Sequence, residues 1–302
     1  MHITDIINKD RPTFSFEYFP PKSERASESL LETIKDLESL DPSYVSITYG
    51  AGGTTRERTH DLVENILETT SLTPIPHLTC VQHTEEEISN ILKRYSDKGV
   101  SNILALRGDT PKGETQYNRS NDSFYFARDL VEFISAFNTS TLGEESKSFG
   151  IGVAGFPEGH PETPNRIKEM DYLKAKVDSG ADYICTQLFF DNHDFFDFRD
   201  RCELAGINVP IIAGIMPVTS ISGMQRMADL AAGSRFPAKL LKSIDRCNSD
   251  SDAVKRVGIQ YATEQCSDLL NTGDDGIHFY PLNKSKSTRG VFEALGINKT
   301  SK

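Results

Sequence analysis

The chain has 302 residues, of which 37% are hydrophobic and 25% charged, so it can bury a substantial core. Its formal net charge of -11 argues against a protein that binds the phosphate backbone of a nucleic acid. The five cysteines are scattered and include no Cys-x-x-Cys pair, which argues against a zinc ribbon or a disulfide scaffold.

The N-terminal segment lacks a basic region followed by an apolar run, so it does not resemble a signal peptide. No stretch of the sequence approaches the ~18 consecutive apolar residues that cross a membrane. We therefore expect no membrane association, and we expect a cytoplasmic protein with reduced thiols.

Eight short apolar segments rich in β-forming residues predict eight strands. They cover residues 13–19, 44–50, 75–80, 102–109, 150–157, 182–190, 210–217 and 276–282. The amphipathic stretches between them predict helices, among them 27–40, 84–98, 165–179 and 194–205. The last three of these helices are each followed by the glycine expected where a helix ends, namely Gly99, Gly180 and Gly206.

Strands that alternate with helices predict βαβ units and a parallel sheet, and eight strands are the number that closes a barrel. We therefore expect an α/β protein, with one (βα)8 TIM-type barrel domain over residues 1–302. A doubly wound open sheet is the main alternative, although the chain lacks the Gly-x-Gly-x-x-Gly loop typical of dinucleotide-binding sheets. Three segments depart from the alternation of strands and helices. We expect a mobile loop that covers the end of the fourth strand at 110–121, a solvated connector at 138–148 and more than one helix within 232–272.

Side chains alternate between the two faces of each predicted strand. In the first strand, Phe14, Phe16 and Tyr18 oppose Ser15 and Glu17. If the apolar faces meet the helices, the polar faces line the barrel interior toward its C-terminal end, where barrel enzymes bind ligands. Mutually satisfied core hydrogen bonds are the alternative, but so many costly buried polar groups favour a ligand site. By the same division the inward set includes Ser46, Thr48, Gly50, His77, Thr79, Ala105, Arg107 and Asp109, and the outward set includes Leu104 and Leu106. In the later strands one register contains Gly152, Ala154, Phe156 and Glu158, another Cys185, Gln187 and Phe189, and a third His278 and Tyr280.

Nine short motifs follow one another along the chain. They are 16–22 (FEYFPPK), 45–51 (VSITYGA), 56–60 (RERTH), 76–80 (PHLTC), 106–109 (LRGD), 156–161 (FPEGHP), 186–191 (TQLFFD), 214–217 (GIMP) and 278–280 (HFY). Each motif is weak by itself, but the ordered set resembles the methylenetetrahydrofolate reductase family. The resemblance implies a catalytic domain of the bacterial type with bound FAD, which NADH or NADPH reduces. The reduced flavin would then convert 5,10-methylenetetrahydrofolate to 5-methyltetrahydrofolate for methionine synthesis, in a homo-oligomeric enzyme.

The resemblance also assigns roles to individual residues. Glu17 matches the general acid that protonates the folate nitrogen as its five-membered ring opens, and burial favours the proton-carrying form that this step needs. Asp109 matches a carboxylate near the flavin and the pterin, and Gln187 an amide that bonds the pterin or nicotinamide. From the residues alone, Glu17 could instead pair with a buried Arg or Lys, Asp109 could cap a loop, and Gln187 could be a core amide. Further substrate contacts are implied at Met227, Tyr280 and Lys284.

The positions that match FAD contacts are spread over the chain. Arg107 and Lys176 are the natural partners of the pyrophosphate, although Lys176 alone would be interpreted as a solvated helix charge. His77 and Cys80 do not suggest a metal site, because side chains three apart on a strand face opposite ways. We therefore expect no metal. The full set of implied FAD positions is Thr48, Tyr49, Ala51, His77, Arg107, Gly108, Asp109, Ala127, Phe156, His160, Glu169, Tyr172 and Lys176.

Several of these positions depart from the family pattern. Phe156 stands where a Tyr is common, Glu169 where an Asp is, and Tyr172 where an Asn contacts the cofactor. Lys284 stands for an Arg. These departures leave the flavin affinity and the choice between NADH and NADPH open. Two alternative functions also remain open: a flavin-free folate-dependent reductase or one-carbon transferase on the same barrel, and a non-catalytic folate- or nucleotide-binding subunit.

Overall fold

The structure is a computed structural model that describes residues 1–50, 53–110, 117–118, 122–143, 148–231 and 234–297. Its strands are β1 (Thr13–Tyr18), β2 (Tyr44–Ile47), β3 (Pro74–Thr79), β4 (Asn102–Leu106), β5 (Gly150–Gly155), β6 (Tyr183–Thr186), β7 (Ile211–Ile215) and β8 (Gly276–Phe279). Its helices are α1 (Ile3–Asp10), α2 (Glu24–Glu38), α3 (Gly53–Thr69), α4 (Glu85–Asp97), α5 (Ala127–Phe137), α6 (Arg166–Asp178), α7 (Asn192–Leu204), α8 (Ile221–Leu230), α9 (Ala238–Asp245), α10 (Ser251–Asn271) and α11 (Ser285–Ala294).

The eight strands form a closed parallel barrel in which each strand pairs with its neighbours in chain order. The closing contact joins β1 to β8, with Thr13 opposite Gly276 and Phe16 opposite Phe279. This closure confirms the predicted (βα)8 barrel, and the doubly wound open sheet is wrong because such a sheet leaves its first and last strands unpaired with each other.

Local sequence explains where the helices begin and end. The Thr84 side chain accepts from the backbone of Glu87, and the Glu87 carboxylate accepts in return from the backbone of Thr84, which caps α4. Gly99, Gly180 and Gly206 follow α4, α6 and α7 with positive φ angles of 83°, 115° and 71°. These left-handed conformations confirm the predicted glycine stops.

The barrel interior has an apolar layer below a polar one. The lower layer contains Tyr44, Ile75, Tyr183 and Ile212, and α1 closes it from beneath with Ile3, Ile6 and Ile7. In the upper layer, nearer the C-terminal ends of the strands, lie Ser15, Glu17, Ser46, His77 and His278, all buried. The predicted polar lining of the interior is therefore confirmed for strands β1, β2, β3 and β8.

The predicted facing of β4 is wrong. Leu104 packs in the lower interior layer and Leu106 against it, whereas Ala105 belongs to the outer core beneath the helices. The interior at this level needs apolar volume, so the leucines fill it and the small alanine faces outward. Arg107 and Asp109 follow the end of β4, so strand alternation no longer fixes their directions.

The irregular segments follow the predictions in part. Helices α9 and α10 confirm that 232–272 holds more than one helix. The tract 138–148 was expected to be a solvated connector, but it begins with a π-helical turn, Asn138–Leu142, that continues α5. Most of the expected cover at 110–121 lies outside the described residues, as does Ala51. Within the described ranges, no helix is both long and apolar enough to cross a bilayer.

Candidate active site

The Glu17 carboxylate lies near the C-terminal end of β1, inside the barrel, with only a tenth of its side chain exposed. Its Oε2 atom is 3.6 Å from His77 Nε2 on β3 and 3.8 Å from His278 Nε2 on β8. Within the described part of the chain, Glu17 has no ion pair with an arginine or lysine. The carboxylate therefore lies between two imidazoles, one on β3 and one on β8, the strands that flank the β1–β2 pair in the barrel.

His77 is neutral at physiological pH. Burial lowers the pKa of its imidazole from the ordinary 6.5 to about 4, against the opposing effect of the Glu17 charge. Its Nε2 atom is buried and has no hydrogen-bond partner in the described structure. A buried nitrogen in this state is costly unless a ligand or water completes it, so His77 is a candidate ligand contact.

His278 connects three strands of the upper interior layer. Its Nδ1 lies 2.7 Å from the Ser15 hydroxyl on β1, and its Nε2 lies 3.3 Å from the Ser46 hydroxyl on β2. The ring also stacks on Tyr44 at 6.3 Å between centroids. These contacts fix the orientation of the imidazole that faces Glu17.

A cavity of about 320 Å³ opens at the ends of β5 and β6. One wall is the segment after β5, which carries Phe156, Glu158 and His160; Gln187 follows β6. A second wall contains Ala231, Ser234 and Arg235, which lie between α8 and α9. The cavity lies at the C-terminal face of the barrel, where barrel enzymes bind their substrates. Its full lining is Phe156, Pro157, Glu158, Gly159, His160, Pro161, Thr163, Pro164, Arg166, Gln187, Leu188, Ala231, Ser234 and Arg235.

Phe156 and His160 form an aromatic edge of this cavity, with ring centroids 4.6 Å apart and planes at 74°. The backbone N–H of His160 donates to Glu169 Oε1 at 3.0 Å, so Glu169 supports the segment from α6. Burial raises the pKa of the Glu169 carboxyl. Glu169 therefore acts here on the backbone of the cavity wall, while Tyr172, further along α6, is 57% exposed.

Two cations lie beside this region. The Arg107 guanidinium, one-third exposed, pairs with Glu162 at 2.6 Å. Lys176 Nζ donates to the carbonyl of Ala154 at 2.6 Å, and burial lowers the pKa of this amine to about 8. Lys176 is therefore turned toward β5, and the interpretation of a solvated helix charge is wrong.

The backbone after β4 turns sharply between Arg107 and Asp109. Gly108 has a φ of 82°, and a Cβ there would lie 2.9 Å from Thr79 Cβ, so only glycine fits this turn. The turn leaves Asp109 exposed at the barrel mouth. Ala127, half-buried, begins α5 nearby in the chain.

Tyr49 and Thr48 follow β2. The carbonyl of Val81 lies 3.0 Å from His83 Nδ1. Because a carbonyl can only accept, the His83 proton is on Nδ1. His83 Nε2 therefore accepts a hydrogen bond from the Tyr49 hydroxyl at 3.1 Å. Thr48 bonds through its backbone, its carbonyl accepting from Thr59 at 3.1 Å. Their side chains are half-buried.

The three further positions at which the resemblance implies substrate contacts differ in their surroundings. The Tyr280 hydroxyl donates to the Thr186 carbonyl at 2.7 Å, and its ring meets His278 edge-on, so Tyr280 joins the Glu17 cluster to the end of β6. Met227 is 2% exposed and packs in the apolar cluster around α8. Lys284 is exposed at the start of α11.

The sequence predictions assigned no role to several residues that the geometry makes prominent. His83 holds Tyr49, His278 faces Glu17, and Arg235 is bonded to Glu158 at the cavity wall. Strand alternation placed His278 inside the barrel, but it gave no sign that the imidazole would face Glu17. No local signal could have indicated Arg235, since it lies in an irregular connection.

The chain is similar to known proteins over nearly its whole length. The family model described as methylenetetrahydrofolate reductase matches residues 2–296. The 5,10-methylenetetrahydrofolate reductase of Escherichia coli is 38% identical over 94% of this chain and 90% of its own length. Methylenetetrahydrofolate reductase (NADH) 1 of Arabidopsis thaliana is 38% identical over 99% of this chain, and the chain spans about half, 51%, of that plant protein.

Among solved structures, an uncharacterized protein from Clostridium thermocellum that binds two copies of 5-methyl-5,6,7,8-tetrahydrofolic acid has a TM-score of 0.66. The match covers 98% of both chains at 15% identity, so it establishes the shared fold only. The sequence matches reach further, because they extend over nearly the whole barrel at 35–38% identity. The chain belongs to the methylenetetrahydrofolate reductase family.

Proposed function

We propose that the chain reduces 5,10-methylenetetrahydrofolate to 5-methyltetrahydrofolate, with electrons from NADH or NADPH passed through a bound FAD. The observation that carries the proposal is the buried Glu17 carboxylate at the barrel mouth, held between His77 and His278. A carboxyl group in this position is suited to proton transfer in a site that excludes water.

Glu17 supplies the proton that opens the folate ring. Protonation of the departing nitrogen breaks its bond to the methylene carbon and leaves an iminium, and hydride addition to that carbon gives the methyl group. Gln187 lies in the cavity wall with its Oε1 accepting from the Leu188 N–H at 2.9 Å, which leaves its amide N–H groups to bond a pterin or nicotinamide.

The residues present fit a flavin nucleotide. The buried His77 Nε2 has no partner in the described structure, and Arg107 and Lys176 are cations suited to a pyrophosphate. Phe156 and His160 offer aromatic surface beside them. When bound, FAD supplies hydride transfer between the nicotinamide and the folate. Tyr49, oriented by His83, and Gly108 are two further proposed contacts.

The Glu17→Gln variant tests the proposal. It removes the transferable proton and keeps the size of the side chain, so NAD(P)H should still reduce the flavin while folate reduction falls by at least about a hundredfold. The exposed Glu203→Gln on α7 is the matched control and should behave as wild type. Folate turnover by Glu17→Gln near the wild-type rate would show that Glu17 is not the acid.

Flavin content separates the proposal from the flavin-free alternatives. Purified protein that carries FAD, or that takes it up when FAD is added, supports the flavin-dependent reaction. Folded protein that reduces the folate without flavin would instead favour the flavin-free reductase on the same barrel. Folded protein that binds the folate but turns nothing over would favour the non-catalytic binding subunit.

A further inference from the structure

The two walls of the cavity are joined by one group of ionic contacts. Arg235, in the connection between α8 and α9, donates to Glu158 Oε1 from its backbone N–H at 2.9 Å and from its Nε at 3.2 Å. The same guanidinium donates to Asp194 on α7 at 2.6 Å. Glu158 belongs to the wall after β5, so the bonds between Arg235 and Glu158 join two separate parts of the cavity lining.

The contact between Arg235 and Glu158 differs from an ordinary surface ion pair. The Glu158 side chain is only 11% exposed, although that of Arg235 is 64% exposed. Glu158 Oε1 accepts from both a backbone and a side-chain donor of one residue, so the bonds fix the path of the main chain as well as the side chain. The side-chain hydrogen bond to Glu158, followed by the negative charge of Asp194, raises the pKa of the Arg235 guanidinium, which therefore stays positive.

The connection between α8 and α9 has one other described polar anchor on the barrel. The Ser234 hydroxyl donates to the Leu188 carbonyl after β6 at 3.1 Å. Helix α8 itself rests on the barrel through apolar contacts, with Met224 and Met227 packed in the cluster that contains Leu188. Apolar contacts of this kind permit small sliding movements, so directional bonds are needed to fix the wall.

We propose that Arg235, Glu158 and Asp194 form a bridge that positions the part of the cavity wall formed by Ser234 and Arg235, and so sets the affinity of the cavity for the folate substrate. These are positioning residues, since the bridge acts through the wall and not on the reacting atoms. Because the substrate and the transition state contact the same wall, loss of the bridge raises KM and leaves kcat unchanged. This inference rests on the proposed folate reduction.

A double-mutant cycle tests the bridge. Arg235→Gln and Glu158→Gln each remove one charge with little loss of volume, and each should raise KM for methylenetetrahydrofolate about three- to fivefold. The double variant should have a KM no higher than the worse single variant, because both changes remove the same contact. Additive effects, a loss confined to kcat, or an unchanged KM would overturn the proposal.

A matched control comes from the same part of the chain. Lys239 on α9 pairs with Glu264 on α10 at 3.0 Å, and neither residue lines the cavity. Lys239→Gln and Glu264→Gln should therefore leave KM at the wild-type value. A similar rise in KM in these controls would show that α9 is sensitive to any loss of charge, and would remove the case for a specific bridge.

Hydrogen exchange provides a readout that needs no activity. The Arg235 N–H is bonded to Glu158 Oε1, so Glu158→Met, whose side chain has no oxygen acceptor, should accelerate exchange in a peptide that covers residues 231–237, and Lys239→Gln should not. Unchanged exchange in Glu158→Met would refute the bridge even if the enzyme assay failed. If wild-type protein turned over no folate while exchange still responded, the proposed function would fail and the bridge between the walls would stand.

Discussion

His83 gives a prediction about acid stability that can be worked from the structure. This imidazole is 1% exposed and is bonded in its neutral form on both nitrogens, to the Val81 carbonyl and to the Tyr49 hydroxyl. Burial, aided by the positive charge of Arg56, lowers its pKa from the ordinary 6.5 to about 4. In the unfolded chain the same residue titrates near its ordinary value.

The sign follows from the two protonation states. As the pH falls below about 6.5, the unfolded chain gains a proton at His83 while the folded protein does not, until the pH reaches about 4. Acid therefore stabilises the unfolded state. Between about pH 8 and about pH 5, this preferential protonation of the unfolded chain shifts the unfolding equilibrium constant by roughly 1.5 powers of ten. The free energy of unfolding therefore falls by about 2 kcal/mol.

The His83→Gln variant removes this titration and keeps groups that can bond Tyr49 and Val81. Urea unfolding at about pH 8 and about pH 5 should show that the variant loses about 2 kcal/mol less on acidification than wild type. His193→Gln, which alters an imidazole with a 94% exposed side chain, is the control and should retain most of the wild-type acid loss. Equal acid loss in His83→Gln and wild type would refute the reasoning.

Three further predictions concern packing, cofactor and substrate. Gly258→Ala places a Cβ 1.8 Å from the Val218 carbonyl oxygen, so it should lower the free energy of unfolding in urea by about 1–3 kcal/mol. The control Gly290→Ala, whose Cβ has its nearest contact at 3.3 Å, should lower it far less. Equal losses would contradict the packing argument. FAD affinity, measured by flavin fluorescence, should weaken as the pH rises through about 8, because the Lys176 amine loses its charge there. Lys176→Met should abolish this pH dependence. If the variant kept the pH dependence, Lys176 would not be its cause. Tyr280→Phe loses the hydroxyl that bonds the end of β6 and should raise KM for the folate about two- to tenfold, and an unchanged KM would separate Tyr280 from the site.

Much of the site could be predicted from local sequence. Ser15 and Glu17 alternate with Phe14 and Phe16, and this pattern identified the inward face of β1 because side chains on a strand must alternate. The same reasoning predicted His77 inside and Leu78 outside, as found. It failed for Leu104 and Ala105, where hydrophobicity is similar on both faces and only the volume of the interior decides the direction.

The sequence by itself determined the order of strands and helices, the number of strands and the inward face of most strands. These features depend on patterns of side chains and backbone chirality that act over a few neighbouring residues. Which residues meet was decided by tertiary structure. The hydrogen bond between Ser15 and His278 joins residues 263 apart, and the one between Glu158 and Arg235 joins residues 77 apart. Barrel closure produces the first and an irregular connection the second, and no local pattern encodes either distance.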